Sequence, residues 1–322
     1  MGSRIIGIEY YLPDRILTNI DIELLFPDWN ANKVEKKVGI KQRHIASENE
    51  SSLDLACNAA ESLLNTIDRE RIDFVLFCTQ SPEYLLPTSS CIIQEKLGLK
   101  KSTGALDFNL GCSGYIYGLA LAKGLINSGI SKNVLLLTGE TYSKFIAEED
   151  ISNRSIFGDA GTATLISYSE DEHIGEFVLG TNGKGAENLI VNKPNAKSRY
   201  ALSDGEYPKL YMNGPEIFNF TIETIPSLIR ETWVKNSCSF DDIKYLILHQ
   251  ANKYIIDFLI SNMGVDSAKC HIDMLNYGNT VSNTIPIALK DSLDRKTITE
   301  GDWVQLAGFG VGYSWGSVIL KI

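Results

Sequence analysis

Apolar residues along this chain follow two alternating patterns. Short continuous apolar runs, which are typical of buried strands, are found at 73–80, 103–110, 134–139, 243–248 and 304–308. Between the runs the apolar positions recur at helical spacing, most clearly at 116–126 and 254–259. This alternation predicts a layered α/β fold in which amphipathic helices pack against largely parallel sheets.

Two pairs of these runs are separated by the same distance. The runs that begin at Val134 and Val304 lie 170 positions apart, and the stretches 73–80 and 243–250, which both end in Gln, repeat that offset. Chance similarity between short apolar runs is one explanation. An internal duplication is the more economical one, and it predicts two halves, 1–170 and 171–322, that meet in the polar stretch 167–173.

Composition and charge narrow the possible functions. The 322 residues carry a net charge of −10, which argues against a nucleic acid partner. No apolar run approaches the ~20 residues of a membrane span, and no secretory signal is recognisable, so we expect a cytoplasmic protein that does not contact membranes. The cysteines are scattered without close pairs, which argues against disulfides and against a metal site, at positions 57, 78, 91, 112, 238 and 270.

Cys112 is the first candidate for chemistry. Residues 110–114 read Leu-Gly-Cys-Ser-Gly and lie between a predicted buried strand at 103–110 and a predicted helix. The free N–H groups and the dipole at a helix N-terminus stabilise an anion, so we expect a lowered thiol pKa and a nucleophilic thiolate. Gly111 and Gly114 leave room for an incoming substrate. The alternative is an inert cysteine that packs as a small hydrophobic residue.

His249 and Asn279 are candidate partners for this thiol. His249 follows the apolar run at 243–248, and the C-terminal ends of strands face the crevice in which α/β enzymes place their chemistry. Asn279 lies in the Gly- and Asn-rich stretch 275–283 before another apolar helix. Taken singly, a packed core histidine and a simple turn explain these residues as well. Together with Cys112 they form a nucleophile with two hydrogen-bonding partners.

Three motifs in this order resemble those of the β-ketoacyl-acyl-carrier-protein synthase III enzymes of the thiolase superfamily. They read Cys-Ser-Gly-Tyr at 112–115, His-Gln-Ala-Asn at 249–252 and Tyr-Gly-Asn-Thr at 277–280, and the resemblance extends over essentially the whole chain. It implies a thiolase-like α-β-α-β-α sandwich of two duplicated halves, with the nucleophile in the first half and His and Asn in the second. It also implies a homodimer in which strands of the first halves join.

The resemblance implies a decarboxylating Claisen condensation. An acyl group passes from acyl-CoA to Cys112, and malonyl-acyl carrier protein then loses carbon dioxide and attacks it, giving 3-oxoacyl-acyl carrier protein at the start of fatty-acid or related synthesis. The backbone N–H groups of Cys112 and Val311 would bind the first oxyanion, and His249 and Asn279 the enolate. No cofactor is implied, because the coenzyme A and phosphopantetheine thioesters are substrates.

Substrate contacts are also implied, with departures from the family. Lys33 stands where many members have a tryptophan that stacks on adenine, and Val311 stands where Gly or Ala is usual, which narrows the site. Positions 219, 254, 261 and 262, commonly basic for carrier docking, are uncharged here. The residues expected to bind substrate are Lys33, Lys37, Arg43, Leu86 (in the partner subunit's acyl tunnel), Asn213, Asn252 and Lys253.

These departures motivate a second hypothesis. A non-elongating acyltransferase would pass the acyl group from Cys112 to an amine or hydroxyl acceptor in secondary-metabolite or sugar modification. A third hypothesis, a non-catalytic partner subunit of a synthase, conflicts with the retention of Cys112, His249 and Asn279.

Overall fold

The structure, a computed structural model, describes residues 2–191 and 209–322. The strands are β1 (Gly2–Tyr11), β2 (Arg15–Thr18), β3 (Gln42–Ile45), β4 (Phe74–Cys78), β5 (Gly104–Phe108), β6 (Asn133–Glu140), β7 (Ala160–Ser169), β8 (Val178–Thr181), β9 (Leu189–Val191), β10 (Leu210–Met212), β11 (Tyr245–Leu248), β12 (Trp303–Gly310) and β13 (Ser314–Lys321). The α-helices are α1 (Asn19–Leu25), α2 (Ala31–Val38), α3 (Ser52–Leu64), α4 (Ser89–Lys96), α5 (Gly114–Asn127), α6 (Ile151–Arg154), α7 (Gly214–Lys235), α8 (Lys253–Met263) and α9 (Thr284–Asp294).

Two sheets repeat one strand arrangement. The first has the order β1-β7-β6-β4-β5 and the second the order β8-β13-β12-β11. In both, one corresponding pair is parallel, β4 with β6 and β11 with β12, and the next two pairs are antiparallel. The order therefore repeats between strands that the 170-residue offset relates. The predicted boundary at 170/171 falls between β7 and β8, and the division into halves 1–170 and 171–322 stays a prediction.

The sheets and helices stack in five layers. Buried residues of α3 and α4 pack on one face of the first sheet, and those of α7 and α8 pack on one face of the second. Between the sheets lie α5 and α9, whose apolar residues contact both, as with Ile116 and Leu119 of α5 and Ile285 and Leu289 of α9. The predicted thiolase-like layered α/β fold is confirmed.

The strand predicted at 103–110 is shorter and less buried than expected. β5 spans Gly104–Phe108 at the edge of the first sheet, and Leu106 is 45% exposed. An apolar run predicts a strand but does not reveal whether a neighbour covers its outer edge, so burial was predicted wrongly. Among the described residues of the second half, the position that corresponds to β5 is occupied by a single parallel β-bridge between Leu246 and Cys270.

Helix α7, at 22 residues, runs continuously through Pro226 and carries charged residues on its outer side. None of the helices within 2–191 and 209–322 has the length and apolar character needed to cross a membrane.

Candidate active site

Three side chains from separate motifs line one pocket. Cys112 lies between β5 and α5, His249 follows β11, and Asn279 lies in the turn that leads into α9. With Phe309 and Gly310 of β12 they surround a cavity of about 160 Å³. Cys112 follows a strand of the first sheet, whereas His249, Phe309 and Gly310 lie in or directly after strands of the second, so the pocket forms where the two sheets pack together around α5 and α9.

The sulfur of Cys112 faces two backbone donors. The N–H groups of Cys112 itself and of Val311 lie near Sγ and lower the thiol pKa. They are the groups predicted to form the oxyanion hole, and that role stays a prediction. Gly310 permits this close approach, since a Cβ at this position would lie 3.0 Å from the sulfur of Cys112.

The thiol pKa does not follow the expectation from the helix N-terminus. Burial first, and the carboxyl of Glu140 second, raise the pKa of Cys112 to about 12, although the two backbone N–H contacts lower it. The prediction of a lowered pKa is therefore wrong for the free protein. Loss of hydration outweighs the stabilisation that a helix N-terminus provides for an anion. The thiol is therefore protonated at neutral pH in the free protein.

His249 is held as a neutral imidazole. It is 2% exposed, and burial lowers its pKa to about 3. Its Nδ1 lies 2.7 Å from Oγ1 of Thr284, and its ring meets that of Phe309 edge to face, with centroids 5.7 Å apart. With Nδ1 engaged, Nε2 is the ring nitrogen left for the pocket.

The carboxamide of Asn279 is oriented by its own turn. Its Oδ1 accepts a hydrogen bond from the N–H of Val281 at 2.9 Å, whereas Nδ2 makes only a long contact of 3.5 Å with the carbonyl of Ala251. The backbone of Asn279 pairs with Ile156 and Gly158, which fixes the residue in space. The amide group is thus placed as a donor toward the pocket.

Glu140 is a site residue that the motifs did not reveal. Its carboxyl is fully buried at the end of β6, where it accepts from Gln80 N–H, Ser81 Oγ and Ser282 Oγ at 3.1–3.2 Å. Burial raises its pKa to about 8. The one signal in the sequence is an acid that ends the otherwise apolar and neutral strand 133–140.

Tyr142 was also missed. Its ring lines the Cys112 pocket, and its hydroxyl donates a 2.5 Å hydrogen bond to Oε1 of Gln80. Tyr142 and Leu189 also line a neighbouring cavity of about 500 Å³, so the two residues separate the cavities. A tyrosine after a strand has no distinctive pattern, and nothing in the sequence signals this position.

Arg43 does not lie where a phosphate could reach it, and its predicted substrate role is wrong. The side chain is fully buried, and its guanidinium donates to the carbonyls of Leu17 and Ser155 and to Oδ1 of Asn19. Burial lowers its pKa to about 10. The lysines beside it in the sequence suggested an exposed cationic patch, but Arg43 points inward from β3 and ties three segments together.

The other predicted substrate contacts have separate environments. Asn252 lines the pocket while its Oδ1 caps α8, and Asn213 caps α7 between the pocket residues Met212 and Gly214. Lys33 and Lys37 are exposed on α2, which packs on α8, the helix that begins with Lys253. Leu86 is 82% exposed.

Side chains suited to a metal do not cluster in the described ranges. Within 2–191 and 209–322, no three or more His, Cys, Asp or Glu residues are placed to hold an ion.

Sequence models of one family match both halves of the site. The model described as 3-Oxoacyl-[acyl-carrier-protein (ACP)] synthase III matches residues 106–183, and the model of its C-terminal part matches residues 234–322. The chain belongs to the 3-oxoacyl-acyl-carrier-protein synthase III family. As a member of that family it is a condensing acyltransferase, and its activity initiates fatty acid synthesis.

Individual synthase III proteins match over the full length. The β-ketoacyl-acyl-carrier-protein synthase III of Campylobacter concisus (strain 13826) is 36% identical, covering 99% of this chain and 96% of that protein. A crystal structure of a 3-oxoacyl-acyl-carrier-protein synthase III superposes with a TM-score of 0.97 at 39% identity, covering both chains completely. The Thermus thermophilus enzyme gives 0.90 at 34% identity, covering 100% of this chain and 99% of that one.

Proposed function

We propose that this synthase III condenses a primer from acyl-CoA, held on Cys112, with malonyl-acyl carrier protein to give 3-oxoacyl-acyl carrier protein. The observation that carries the proposal is the convergence of Cys112, His249 and Asn279 on one pocket. A nucleophile beside two neutral groups able to donate hydrogen bonds suits two oxyanions formed in succession.

Acyl transfer to Cys112 is the first step. The sulfur attacks the thioester carbonyl, and the oxyanion of the tetrahedral intermediate accepts from the N–H groups of Cys112 and Val311, which lower the thiol pKa in the free protein. The thiol is protonated beforehand, so its proton leaves with the departing coenzyme A as a thiol. The carbonyl carbon then remains bonded to Cys112.

Decarboxylation of the malonyl group is the second step. The enolate oxygen accepts hydrogen bonds from Nε2 of His249 and Nδ2 of Asn279, the atoms that their other contacts leave available. Neutral donors are suitable because they do not bind the departing carboxylate as a cation would. Removing one such donor typically costs ~3 kcal/mol of transition-state stabilisation.

Lysines on two packed helices, α2 and α8, are proposed to meet phosphates of the substrate, since α8 begins beside the pocket. Lys33 and Lys37 lie on α2, and Lys253 begins α8 beside the pocket residue Asn252. In a chain of net charge −10 these cations form a local attractive patch for phosphate groups. We propose that Asn213 and Asn252 flank the path of the pantetheine arm.

A short primer fits the cavity at Cys112. The cavity is small, and Tyr142 and Leu189 close it toward the neighbouring larger one. We therefore propose an acyl group of a few carbons, linear or branched.

A homodimer is proposed through the exposed edge of β5. Leu106 on that edge and Leu85 and Leu86 in the loop after β4 are apolar and 45%, 80% and 82% exposed. Exposed apolar patches of this kind are typical of subunit interfaces, and pairing of two β5 strands would cover an open sheet edge. In such a dimer Leu86 would reach the partner's acyl pocket.

A cytoplasmic location is proposed for this reaction. The described cysteines are free thiols, and the nucleophile Cys112 must stay reduced to act. The non-elongating acyltransferase is not favoured, because the relatives over the whole chain are condensing enzymes.

The deciding experiment follows both steps. The protein is incubated with a panel of acyl-CoA thioesters and then with malonyl-acyl carrier protein, and intact-protein mass and released carbon dioxide are measured. We expect an acyl mass on the wild type, none on Cys112→Ala, and carbon dioxide with a 3-oxo product. Acyl-enzyme that ignores malonyl-carrier but turns over with an amine or alcohol would refute condensation.

A further inference from the structure

The turn at 279–284 contacts both proposed enolate donors. At its middle, Val281 has φ +58°, a left-handed conformation that is costly for a β-branched residue. In this conformation its N–H donates to Oδ1 of Asn279, and its carbonyl lies 3.2 Å from the hydroxyl of Thr284. Strained backbone of this kind is retained where it serves a site. Here the two contacts of Val281 hold the side chains of Asn279 and Thr284 in place.

The Thr284 hydroxyl has two possible acceptors and one proton. Its Oγ1 lies 2.7 Å from Nδ1 of His249 and 3.2 Å from the carbonyl of Val281. If the proton goes to Val281, Nδ1 must carry a hydrogen and Nε2 is an acceptor. If the proton goes to Nδ1, then Nε2 carries the hydrogen and is a donor. The 2.7 Å contact is a hydrogen bond in either arrangement, and the proposed enolate role of His249 requires the second one, in which Nε2 carries the hydrogen.

We propose that Thr284 is a positioning residue that donates its hydroxyl proton to Nδ1 of His249 and so fixes the imidazole as an Nε2–H donor toward the enolate. This inference rests on the proposed condensation. It explains why His249, one of the two proposed enolate donors, carries its hydrogen on Nε2.

The chemistry of the partner explains why a hydroxyl is suitable here. A carboxylate at Nδ1 can only accept, so it holds the hydrogen on Nδ1 and leaves Nε2 as a base, as in the serine protease triad. A hydroxyl can donate instead and produces the opposite tautomer. None of the hydrogen bonds described for His249 involves a carboxylate, and Thr284 is 4% exposed, so water does not compete easily for Nδ1.

The tautomer can be read directly by NMR. The chain has four histidines, so selective ¹⁵N-histidine labelling gives few signals, and a His249→Gln variant assigns those of His249. We expect the wild-type Nδ1 to show the shift of an unprotonated ring nitrogen and Nε2 that of a protonated one. A hydrogen found on Nδ1 overturns the proposal, whatever the activity of the protein.

Matched variants test the consequence. Thr284→Val keeps the shape without the hydroxyl, and Thr284→Ser restores the hydroxyl. Malonyl decarboxylation by the pre-acylated enzyme is expected to fall roughly 10- to 100-fold in the valine variant, the size of loss seen when the hydrogen-bond partner of a metal-bound histidine is removed. Acyl transfer to Cys112 should hardly change, and the serine variant should recover decarboxylation.

The outcomes separate this inference from the proposed function. Equal losses in both steps, or no loss in the valine variant, contradict a role for Thr284 in setting the donor. A wild type that forms no acyl-enzyme and releases no carbon dioxide refutes the condensation itself. Thermal unfolding of each variant identifies a misfolded protein, and in that case the wild-type NMR spectrum still decides the tautomer.

Discussion

The charge beside Cys112 is controlled by one buried carboxyl. Glu140 raises the pKa of Cys112, and its own pKa is raised to about 8 by burial. At neutral pH the carboxyl is largely protonated and neutral, so it opposes thiolate formation little. Above pH 8 it ionises. Its negative charge then disfavours the thiolate of Cys112 in the pH range in which the thiolate would otherwise become more abundant.

We expect Glu140→Gln to acylate faster than the wild type above pH 8 and at a similar rate at pH 6–7. Glutamine has the shape of the protonated acid, and Ser81 and Ser282 can turn their hydroxyls to accept from its amide. Intact-protein mass after short incubation with acyl-CoA over a pH series measures the rate. Asp159→Asn is the control. Asp159 does not itself perturb Cys112 but raises the pKa of Glu140, so this variant should keep the wild-type pH dependence and only begin it at a lower pH.

Replacement of Asn279 by Asp should separate the two half-reactions. The change removes the Nδ2 donor and adds a carboxylate next to the developing enolate, so we expect decarboxylation to fall by roughly 10²–10³. Acyl transfer, which uses the N–H groups of Cys112 and Val311, should fall much less. Labelled acyl and malonyl thioesters follow each step. Equal losses would show that Asn279 does not act mainly on the enolate.

Residues within contiguous motifs could be predicted from the sequence, and isolated ones could not. Cys112, His249 and Asn279 each stand at the end of a strand or in a turn with distinctive neighbours. Glu140 and Thr284 act through contacts between segments far apart in the chain, for example Glu140 with Ser282. Such contacts leave no local pattern. The expected low thiol pKa failed for the same reason, since burial is not visible in the motif.

At the scale of elements, the close packing of β12 against the start of α5 is the critical contact. We expect Gly310→Ala to slow acylation of Cys112, because the added Cβ would lie 3.0 Å from its sulfur and displace it from the two N–H donors. Gly124→Ala is the matched control. Gly124 lies inside α5 with nothing within 4 Å of an added Cβ, and alanine there should stabilise the helix by about 0.5–1 kcal/mol without loss of activity. Acylation rates and thermal unfolding test both variants.

Tyr142 after β6 should set the length of the primer. We expect Tyr142→Leu to accept longer acyl-CoA chains than the wild type, because the smaller side chain opens the Cys112 cavity toward the neighbouring one of about 500 Å³. Tyr142→Phe retains the ring but not the hydrogen bond to Gln80, so it should keep the short preference. Acylation by a thioester series gives the chain-length profile. An unchanged profile in the leucine variant would place the acyl chain elsewhere.

The elements themselves were largely predictable. Periodicity indicated α5, α8 and the inner strands, since each buries an apolar face or run. The exposure of β5 was not predictable, because an apolar edge strand and an apolar central strand have the same spacing.

On the scale of the whole molecule, the site depends on the core shared by the two sheets. α5 positions Cys112 and α9 follows the Asn279 turn, and both helices pack in the same apolar cluster. The 170-residue offset predicted the repeated arrangement of strands, because corresponding strands bury similar apolar runs. The rotation that brings the two sheets together around these helices depends on tertiary packing, and the offset alone carries no information about it.

Buried ionisable groups should make the stability of the whole protein depend on pH in opposite directions. The pKa of Glu140 is raised from 4.5 to about 8 and that of Asp159 from 3.8 to about 6, so each stabilises the fold fully below its unfolded pKa and loses that contribution as pH rises through its folded pKa. The pKa of His249 is lowered from 6.5 to about 3, so the burial of this histidine destabilises the fold increasingly as pH falls below 6.5. Stability should therefore be greatest in mildly acidic solution.

The contribution of Glu140 can be isolated with the glutamine variant. Since glutamine does not titrate, we expect the melting temperature of Glu140→Gln, relative to the wild type, to rise steadily between pH 4.5 and 8 and to level off above. Calorimetry of both proteins in the same buffers measures this difference. Asp159→Asn should show its own rise earlier, between pH 3.8 and 6. A difference for Glu140→Gln that stays constant across the range would mean that the buried carboxyl keeps its ordinary pKa, and the charge assigned to the surroundings of Cys112 would then be wrong as well.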